Sequence, residues 1–120
     1  MHKLTSSDLA EVEQRLRGMR VDVLDAVRAR LAGAGTGQAR SLGSLLEQGD
    51  TAVDAMLVDD DIALVRHELA MLRDIDAALK RIEFDVGGIC TQCGATIPIE
   101  RLRAMPTAAT CVACAAAPAR

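Results

Sequence analysis

Apolar residues recur at intervals of three or four positions along the first quarter of the chain. The series runs through Leu9, Val12, Leu16, Met19, Val23, Val27 and Leu31, with charged residues between its members. This spacing places the apolar side chains on one face of an amphipathic helix. We expect the helix to have its N-cap at Ser6 or Ser7 and to end at the glycine-rich segment 33–37.

A second apolar series with the same spacing occupies the third quarter of the chain. Its members are Val58, Ile62, Val65, Leu69, Leu72, Ile75, Leu79 and Ile82. The polar faces of this helix are predicted to carry Arg66, Glu68, Arg73, Asp74 and Lys80. A helix from about Thr51 to Phe84 would be about 50 Å long at a rise of 1.5 Å per residue. Since that length exceeds the width of a small domain, we expect the helix to project.

The chain contains four cysteines in two CxxC pairs, Cys90/Cys93 and Cys111/Cys114, with seventeen residues between the pairs. Two pairs about 15 to 20 residues apart are typical of a zinc site in which two tight turns supply four thiolates. We therefore predict one structural Zn²⁺ bound by these four residues. Because four protein ligands leave no position for water or substrate, no catalysis is expected at this metal. The acidic residues elsewhere lack a cleft that could tune their pKa values, so the chain is predicted not to be an enzyme.

Three other uses of the cysteines remain as alternatives at this point. A disulfide framework requires an oxidising compartment, whereas the N-terminal residues MHKLTSSDLAEVEQ contain no apolar signal region, which favours a cytoplasmic location. A redox CxxC motif is typical of βαβ patterns, which the chain does not show. Iron also binds four thiolates, so the choice between zinc and iron stays open.

The helical series and the cysteine pairs together predict a mainly α protein, an antiparallel coiled-coil hairpin projecting from a small C4 zinc-finger base. In this prediction residues 1–84 form the arm, with an acidic tip near 41–54. Residues 85–116 form the zinc finger, and residues 117–120 are a short tail. A compact helical bundle is the alternative, but it requires a third long helix, for which the segment 41–48 is too short.

The distribution of charge is uneven along a chain whose formal net charge is −3. No basic residue lies between Arg40 and Arg66, where the hairpin is expected to turn. The acidic residues of that stretch are Glu47, Asp50, Asp54, Asp59, Asp60 and Asp61. The tip is therefore predicted to be acidic. No apolar run is long enough to span a bilayer, so no membrane association is expected.

The cysteine segment GICTQCGATIPIERLRAMPTAATCVAC, residues 88–114, resembles the finger of the DksA/TraR family of C4 zinc-finger regulators of bacterial RNA polymerase. The preceding helix end, DIDAALKRIE, is similar to the same family. Counting back from Cys90 without a gap places EQGDTA, residues 47–52, on the DxxDxA motif of the family's tip. Asp50 and Ala52 match that motif, and Glu47 replaces its first aspartate. The chain is similar to the short members of the family.

The resemblance implies a regulator that binds bacterial RNA polymerase directly and binds no promoter DNA itself. Family members insert the coiled-coil tip into the secondary channel of the enzyme, which assigns Glu47, Asp50 and Ala52 here as effector residues. Longer members also bind the alarmone (p)ppGpp through basic side chains. The aligned positions in this chain are Asp74, Met105 and Ala115, which lack a cation, so weak or absent (p)ppGpp coupling is implied.

Two functions of other classes serve as alternatives. A sequence-specific DNA-binding zinc finger requires a basic recognition surface, which the negative net charge disfavours. A zinc-stabilised adaptor that binds a different protein partner is harder to dismiss, because a fold does not by itself define a function. The sequence leaves the oligomeric state open.

Overall fold

The computed structural model of the chain describes residues 4–33 and 59–116. Four helices lie within these residues. They are α1 (Ser6–Gly33), α2 (Asp59–Glu83), α3 (Ile99–Ala104) and α4 (Val112–Ala116). Extended pairing within the described ranges is limited to a single antiparallel bridge between Ile89 and Thr96. The mainly α class is therefore confirmed. No helix in this part of the chain is long and apolar enough to cross a membrane.

The N-cap of α1 is Thr5, so the predicted cap at Ser6 or Ser7 is wrong. The backbone N–H of Asp8 donates to Thr5 Oγ1 over 3.0 Å, and the N–H of Thr5 donates to Asp8 Oδ2 over 3.1 Å. These two bonds form a reciprocal capping box, with aspartate in the place that glutamate usually takes. The carboxylate also lies in the first turn, where the helix dipole favours negative charge.

Members of the two predicted apolar series, together with Ala78, form the buried seam between α1 and α2. Its buried members are Val12, Leu16, Val23 and Val27 on α1, and Val65, Leu69, Leu72, Ile75 and Ala78 on α2. One prediction for α2 is wrong: Glu68 does not lie on a polar face, because its side chain is only 12% exposed. It is placed between Val65 and Leu72 at seam spacing and pairs with Arg30 of α1. The seam therefore includes a charged pair as well as apolar residues.

The chain divides into two compact units that share both long helices. One unit comprises Met1–Met19 and Asp74–Arg120, and it contains the cysteine segment. The other comprises Arg20–Arg73. Within the first unit, Leu9 and Val12 of α1 lie near Ala78 and Ile82 of α2, around one small cavity. The helices run antiparallel, as predicted, whereas the predicted division at residue 84 stays a prediction.

A tight turn after α2 leads the chain into the cysteine segment. The N–H of Val86 donates to Arg81 O over 2.8 Å, and the N–H of Asp85 donates to Ile82 O over 3.2 Å. This pair of bonds is a Schellman motif, in which Asp85 takes the left-handed conformation with φ 63°. The backbone of Gly87 packs closely against α2. A Cβ added at this position would lie only 2.6 Å from Ile82 Cγ1.

Candidate metal centre

The thiol sulfurs of the four predicted ligands come together in one cluster. All four Sγ atoms of Cys90, Cys93, Cys111 and Cys114 lie within 4.8 Å of one another. The sulfurs of Cys93 and Cys111 are 3.8 Å apart. A regular tetrahedron with Zn–S bonds of about 2.3 Å has sulfur-to-sulfur edges of about 3.8 Å. The cluster therefore has the size that a single zinc ion requires.

The first CxxC pair is held in a tight turn by its own backbone. The N–H of Gly94 donates to Cys90 O over 3.0 Å, and the N–H of Cys90 donates to Ala95 O over 2.8 Å. Gly94 has φ 76°, a conformation that glycine adopts without steric cost. The turn buries Cys90 to 2% exposure and leaves Cys93 at the surface.

The second CxxC pair lies at the start of α4. Cys111 immediately precedes the helix, and its carbonyl oxygen accepts a bond of 2.9 Å from the N–H of Ala115. Cys114 is within this first helical turn. A backbone bond of 2.9 Å from Thr91 N–H to Ala109 O joins the two cysteine turns. The pairs, although seventeen residues apart in sequence, are thus fixed side by side.

The segment between the cysteine pairs packs as a small apolar layer around α3. Its buried side chains include Ile97 and Leu102, which are 1% and 3% exposed. Arg101 of α3 donates from Nε to Thr110 O over 3.0 Å, next to the second pair. This bond ties α3 to the backbone that carries Cys111, so α3 helps to position the metal ligands.

Electrostatics in the cluster favour deprotonated sulfur at some positions and oppose it at another. Backbone N–H groups of Cys93 and Cys111 donate to the sulfur of Cys90 and lower its pKa to about 6. A backbone bond from Cys114 also lowers the pKa of Cys111. Hydrogen bonds of the Cys114 thiol to Cys111, Cys90 and Cys93 raise the pKa of Cys114 to about 12. Zinc binds cysteine as the thiolate, so a Zn²⁺ bound here would displace the remaining thiol protons.

The residues present therefore fit one structural Zn²⁺. All four cysteines are free, and the separation of 3.8 Å between the Cys93 and Cys111 sulfurs is far above the length of a disulfide, about 2.05 Å. The disulfide alternative is thus wrong. Four thiolates complete a tetrahedral shell, so the metal they bind stabilises the fold and leaves no site for a substrate.

The sequence does not predict the contact between this module and α1. Arg103 of α3 donates from Nε to Glu11 Oε2 over 2.8 Å. Arg15 donates from Nη1 to the carbonyl oxygen of Arg103. The signal was present only as unassigned charges at the two positions of α1, because sequence spacing does not say which distant element a charged face meets. Glu47, Asp50 and Ala52, the predicted effector residues, lie outside the described residues, and their assignment stays a prediction.

The cysteine module matches a known protein family. Residues 86–118 fit the family of the prokaryotic dksA/traR C4-type zinc finger. Over 62 residues the chain is 50% identical to the protein YteA of Bacillus subtilis. This match covers 52% of this chain and 26% of YteA. Over 47 residues it is 43% identical to the RNA polymerase-binding transcription factor DksA of Haemophilus influenzae, covering 39% of this chain and 32% of that protein. The matches thus span about a quarter to a third of these curated relatives.

A solved structure extends the likeness beyond the cysteine module. The transcription factor DksA2 from Pseudomonas aeruginosa matches with a TM-score of 0.65, covering 92% of this chain and 81% of that one. At 22% sequence identity, this match concerns the fold. It is consistent with a pair of long helices joined to a small cysteine module.

Proposed function

Because its cysteine module matches the prokaryotic dksA/traR C4-type zinc finger over residues 86–118, we propose that this chain is a transcription regulator that binds bacterial RNA polymerase directly. The observation that carries the proposal is the finger itself, since the four ligands and the segment between them match that family. Several relatives that share this segment are named RNA polymerase-binding transcription factors. The fold likeness to DksA2 adds the helix pair to the common features. Binding to polymerase would place the chain in the cytoplasm.

The proposed mechanism uses the segment that connects α1 and α2. Glu47, Asp50 and Ala52 of that segment enter the secondary channel of the polymerase and change the stability of promoter complexes. An acidic tip is attracted to a basic, metal-containing centre and repelled by nucleic-acid phosphates. The regulator acts without chemistry of its own, so any change in reaction rate belongs to the polymerase.

Direct DNA binding is no part of this proposal, and the contacts of the finger's arginines support that. Arg103 is paired with Glu11, and Arg101 donates to Thr110 O. Arg81, at the end of α2, is half-buried and directs Nη2 to Thr107 O at 3.4 Å. These three cations are engaged within the protein, whereas a finger that reads DNA presents its cations to phosphates and bases.

Coupling to (p)ppGpp is proposed to be weak or absent. The three positions that align with the family's alarmone-binding cations are Asp74, Met105 and Ala115, and all three are exposed. A tetraphosphate requires cations, and a carboxylate at one of the three positions opposes it. A strong increase of the chain's effect on transcription by added ppGpp would contradict this part of the proposal.

Transcription by purified bacterial RNA polymerase tests the tip. Zinc-loaded wild type is compared with Asp50→Asn at equal polymerase occupancy, with promoter-complex lifetime as the readout. Asp54→Asn is the matched control, because it removes the same charge from the same segment at a position outside the motif. We expect Asp50→Asn to bind without changing the lifetime and Asp54→Asn to act as wild type does. Wild-type behaviour of Asp50→Asn would contradict the assignment.

Deletion of residues 41–54 separates a polymerase regulator from an adaptor with another partner. In a regulator that works through its tip, the deletion abolishes polymerase binding while the zinc content and the helical circular dichroism persist. An adaptor that uses the finger surface retains its partner after the same deletion.

A further inference from the structure

A partly buried ion pair connects α1 and α2 within the unit Arg20–Arg73. Arg30 donates from Nε to Glu68 Oε1 over 2.6 Å. The side chain of Glu68 is 12% exposed and that of Arg30 is 34% exposed. Hydrogen bonds between two charged groups are stronger than those between neutral groups. This pair connects two helices, whereas the ion pairs Glu13–Arg17 and Asp25–Arg28 lie within α1 and are more exposed.

Both members occupy positions of the apolar seam. In heptad spacing, Arg30 follows Val23 by seven residues, and Glu68 lies between the buried Val65 and Leu72 at intervals of three and four. These are the a and d positions of a coiled coil, which face the partner helix. Glu68 is largely shielded from water there, so its charge is costly unless Arg30 is in place.

We propose that the Arg30–Glu68 pair fixes the register of the two helices and thereby positions the segment that connects them. Arg30 is three residues from the end of α1 at Gly33, and the segment 34–58 follows directly. The proposal rests on the proposed function, because that segment contains Glu47 and Asp50. Arg30 and Glu68 are positioning residues, since they act on the tip through the helices that support it.

Within the unit Arg20–Arg73, which includes no residue of the finger, the apolar seam alone does not define the register, because its residues are similar aliphatic side chains. A slip by one heptad moves one helix along the other by about 10 Å. In one direction the slip brings Glu68 to the level of Val23, and in the other it brings Arg30 to the level of Ile75. Either slip separates the pair and leaves a charge against an apolar partner. Polar residues in coiled-coil seams specify register in this way, at a cost in stability.

The double variant Arg30→Met/Glu68→Leu removes the pair and retains a filled seam. Replacing a buried ion pair by apolar residues of similar volume is often neutral or stabilising. We therefore expect an unfolding temperature at or above that of wild type, together with loss of the effect on promoter-complex lifetime. Asp25→Leu/Arg28→Met is the matched control, because it removes a pair of the same type that lies 3.6 Å apart on the surface of α1 alone.

The register is measured independently of polymerase by distances between spin labels in the zinc-loaded full chain. Labels are introduced as unnatural amino acids at the exposed positions Ala29 and Ala70, because the cysteines are metal ligands. Dilution with unlabelled protein restricts the measurement to distances within one chain. Wild type and the control variant are expected to give one distance, and Arg30→Met/Glu68→Leu a second population displaced by a heptad.

A single, wild-type distance in Arg30→Met/Glu68→Leu would overturn the inference, and so would a displaced distance with an unchanged effect on transcription. If that variant does not fold, the exchange Arg30→Glu/Glu68→Arg decides: it is expected to retain both the single distance and the transcriptional effect. If the folded exchange variant gives more than one distance between the spin labels, the proposal that the ion pair fixes the register is contradicted. If wild type itself has no effect on polymerase, the proposed function fails, while the distances still test the register.

Discussion

Glu11 of α1 and Arg103 of α3 form a two-pronged ion pair, although they are ninety-two positions apart in the sequence. Arg103 Nε lies 2.8 Å from Glu11 Oε2, and Nη2 lies 3.3 Å from Oε1. The hydrogen bond from Arg103 lowers the pKa of Glu11, so the carboxylate is charged at neutral pH. This parallel arrangement is the strong geometry for an arginine and a carboxylate. The finger is therefore attached to α1 by charge as well as by apolar packing.

Replacing Glu11 by glutamine is expected to loosen α3 in the zinc-loaded protein. The variant retains the size of the side chain and removes the charge that Arg103 contacts. We expect faster amide hydrogen exchange over residues 99–108, an effect that weakens at high salt because the pair is partly exposed. The measurement is hydrogen exchange by mass spectrometry at two salt concentrations.

Glu13→Gln is the control for that experiment. Glu13 pairs with Arg17 over 2.8 Å on the same helix, so its loss removes a surface ion pair without touching the finger. Equal exchange in Glu11→Gln and wild type would show that the contact with Arg103 contributes nothing to the attachment.

Glycine at position 85 is expected to stabilise the protein. Asp85 has φ 63°, where side chains with a Cβ are strained and glycine is not. Asp85→Gly should raise the free energy of unfolding by up to about 1 kcal/mol, and Asp85→Val should lower it by about 1–2 kcal/mol. Urea denaturation of the zinc-loaded protein measures both.

Ala77→Gly tests whether any gain at residue 85 comes from the turn. Ala77 is exposed within α2, so glycine there should cost about 1 kcal/mol. If Asp85→Gly lowers the stability as Ala77→Gly does, the left-handed turn is not the source of strain.

Alanine at position 18 is expected to stabilise α1. Gly18 lies inside the helix, and an added Cβ would meet no atom within 4 Å. Gly18→Ala should therefore raise the free energy of unfolding by about 1 kcal/mol through helix propensity. Gly94→Ala is the contrast, because its surroundings are equally open but its φ of 76° disfavours a Cβ. A gain at both positions in urea denaturation would argue against the left-handed conformation of Gly94.

Local patterns in the sequence predict a large part of this fold. The spacing of apolar residues defines both long helices, since burial of one face requires a period near 3.6. The cysteine spacing predicts the metal ligands, because two tight turns can supply a tetrahedral site only at certain separations. The signature of the true N-cap was also present, as Thr5 and Asp8 have the spacing of a capping box.

The spacing of apolar residues and cysteines does not predict contacts between charged groups on distant elements. The charge of Glu68 predicts that it lies on a polar face, whereas the structure buries it against Arg30. A charged side chain can be buried only where an oppositely charged partner lies beside it, and the position of that partner follows from the register of the two helices. The pair of Glu11 with Arg103 has the same origin. Periodicity predicts which face is apolar, but it does not predict which charges meet across it.

Removal of the metal is expected to disorder the finger and to leave the helix pair of Arg20–Arg73 in place. The finger has a small apolar layer, so the metal bonds supply most of its stability, and structural zinc contributes about 10–16 kcal/mol of binding free energy in finger peptides. The seam of the other unit, with Val27, Val65 and Leu69 buried, includes no residue of the finger. We therefore expect chelation to abolish hydrogen-exchange protection over residues 89–114 while residues 62–73 retain theirs.

Elemental analysis should find one zinc per chain in wild type and in His67→Ala, and a reduced content in Cys90→Ser. Full zinc content in Cys90→Ser, or zinc lost from His67→Ala, would contradict the four-cysteine site.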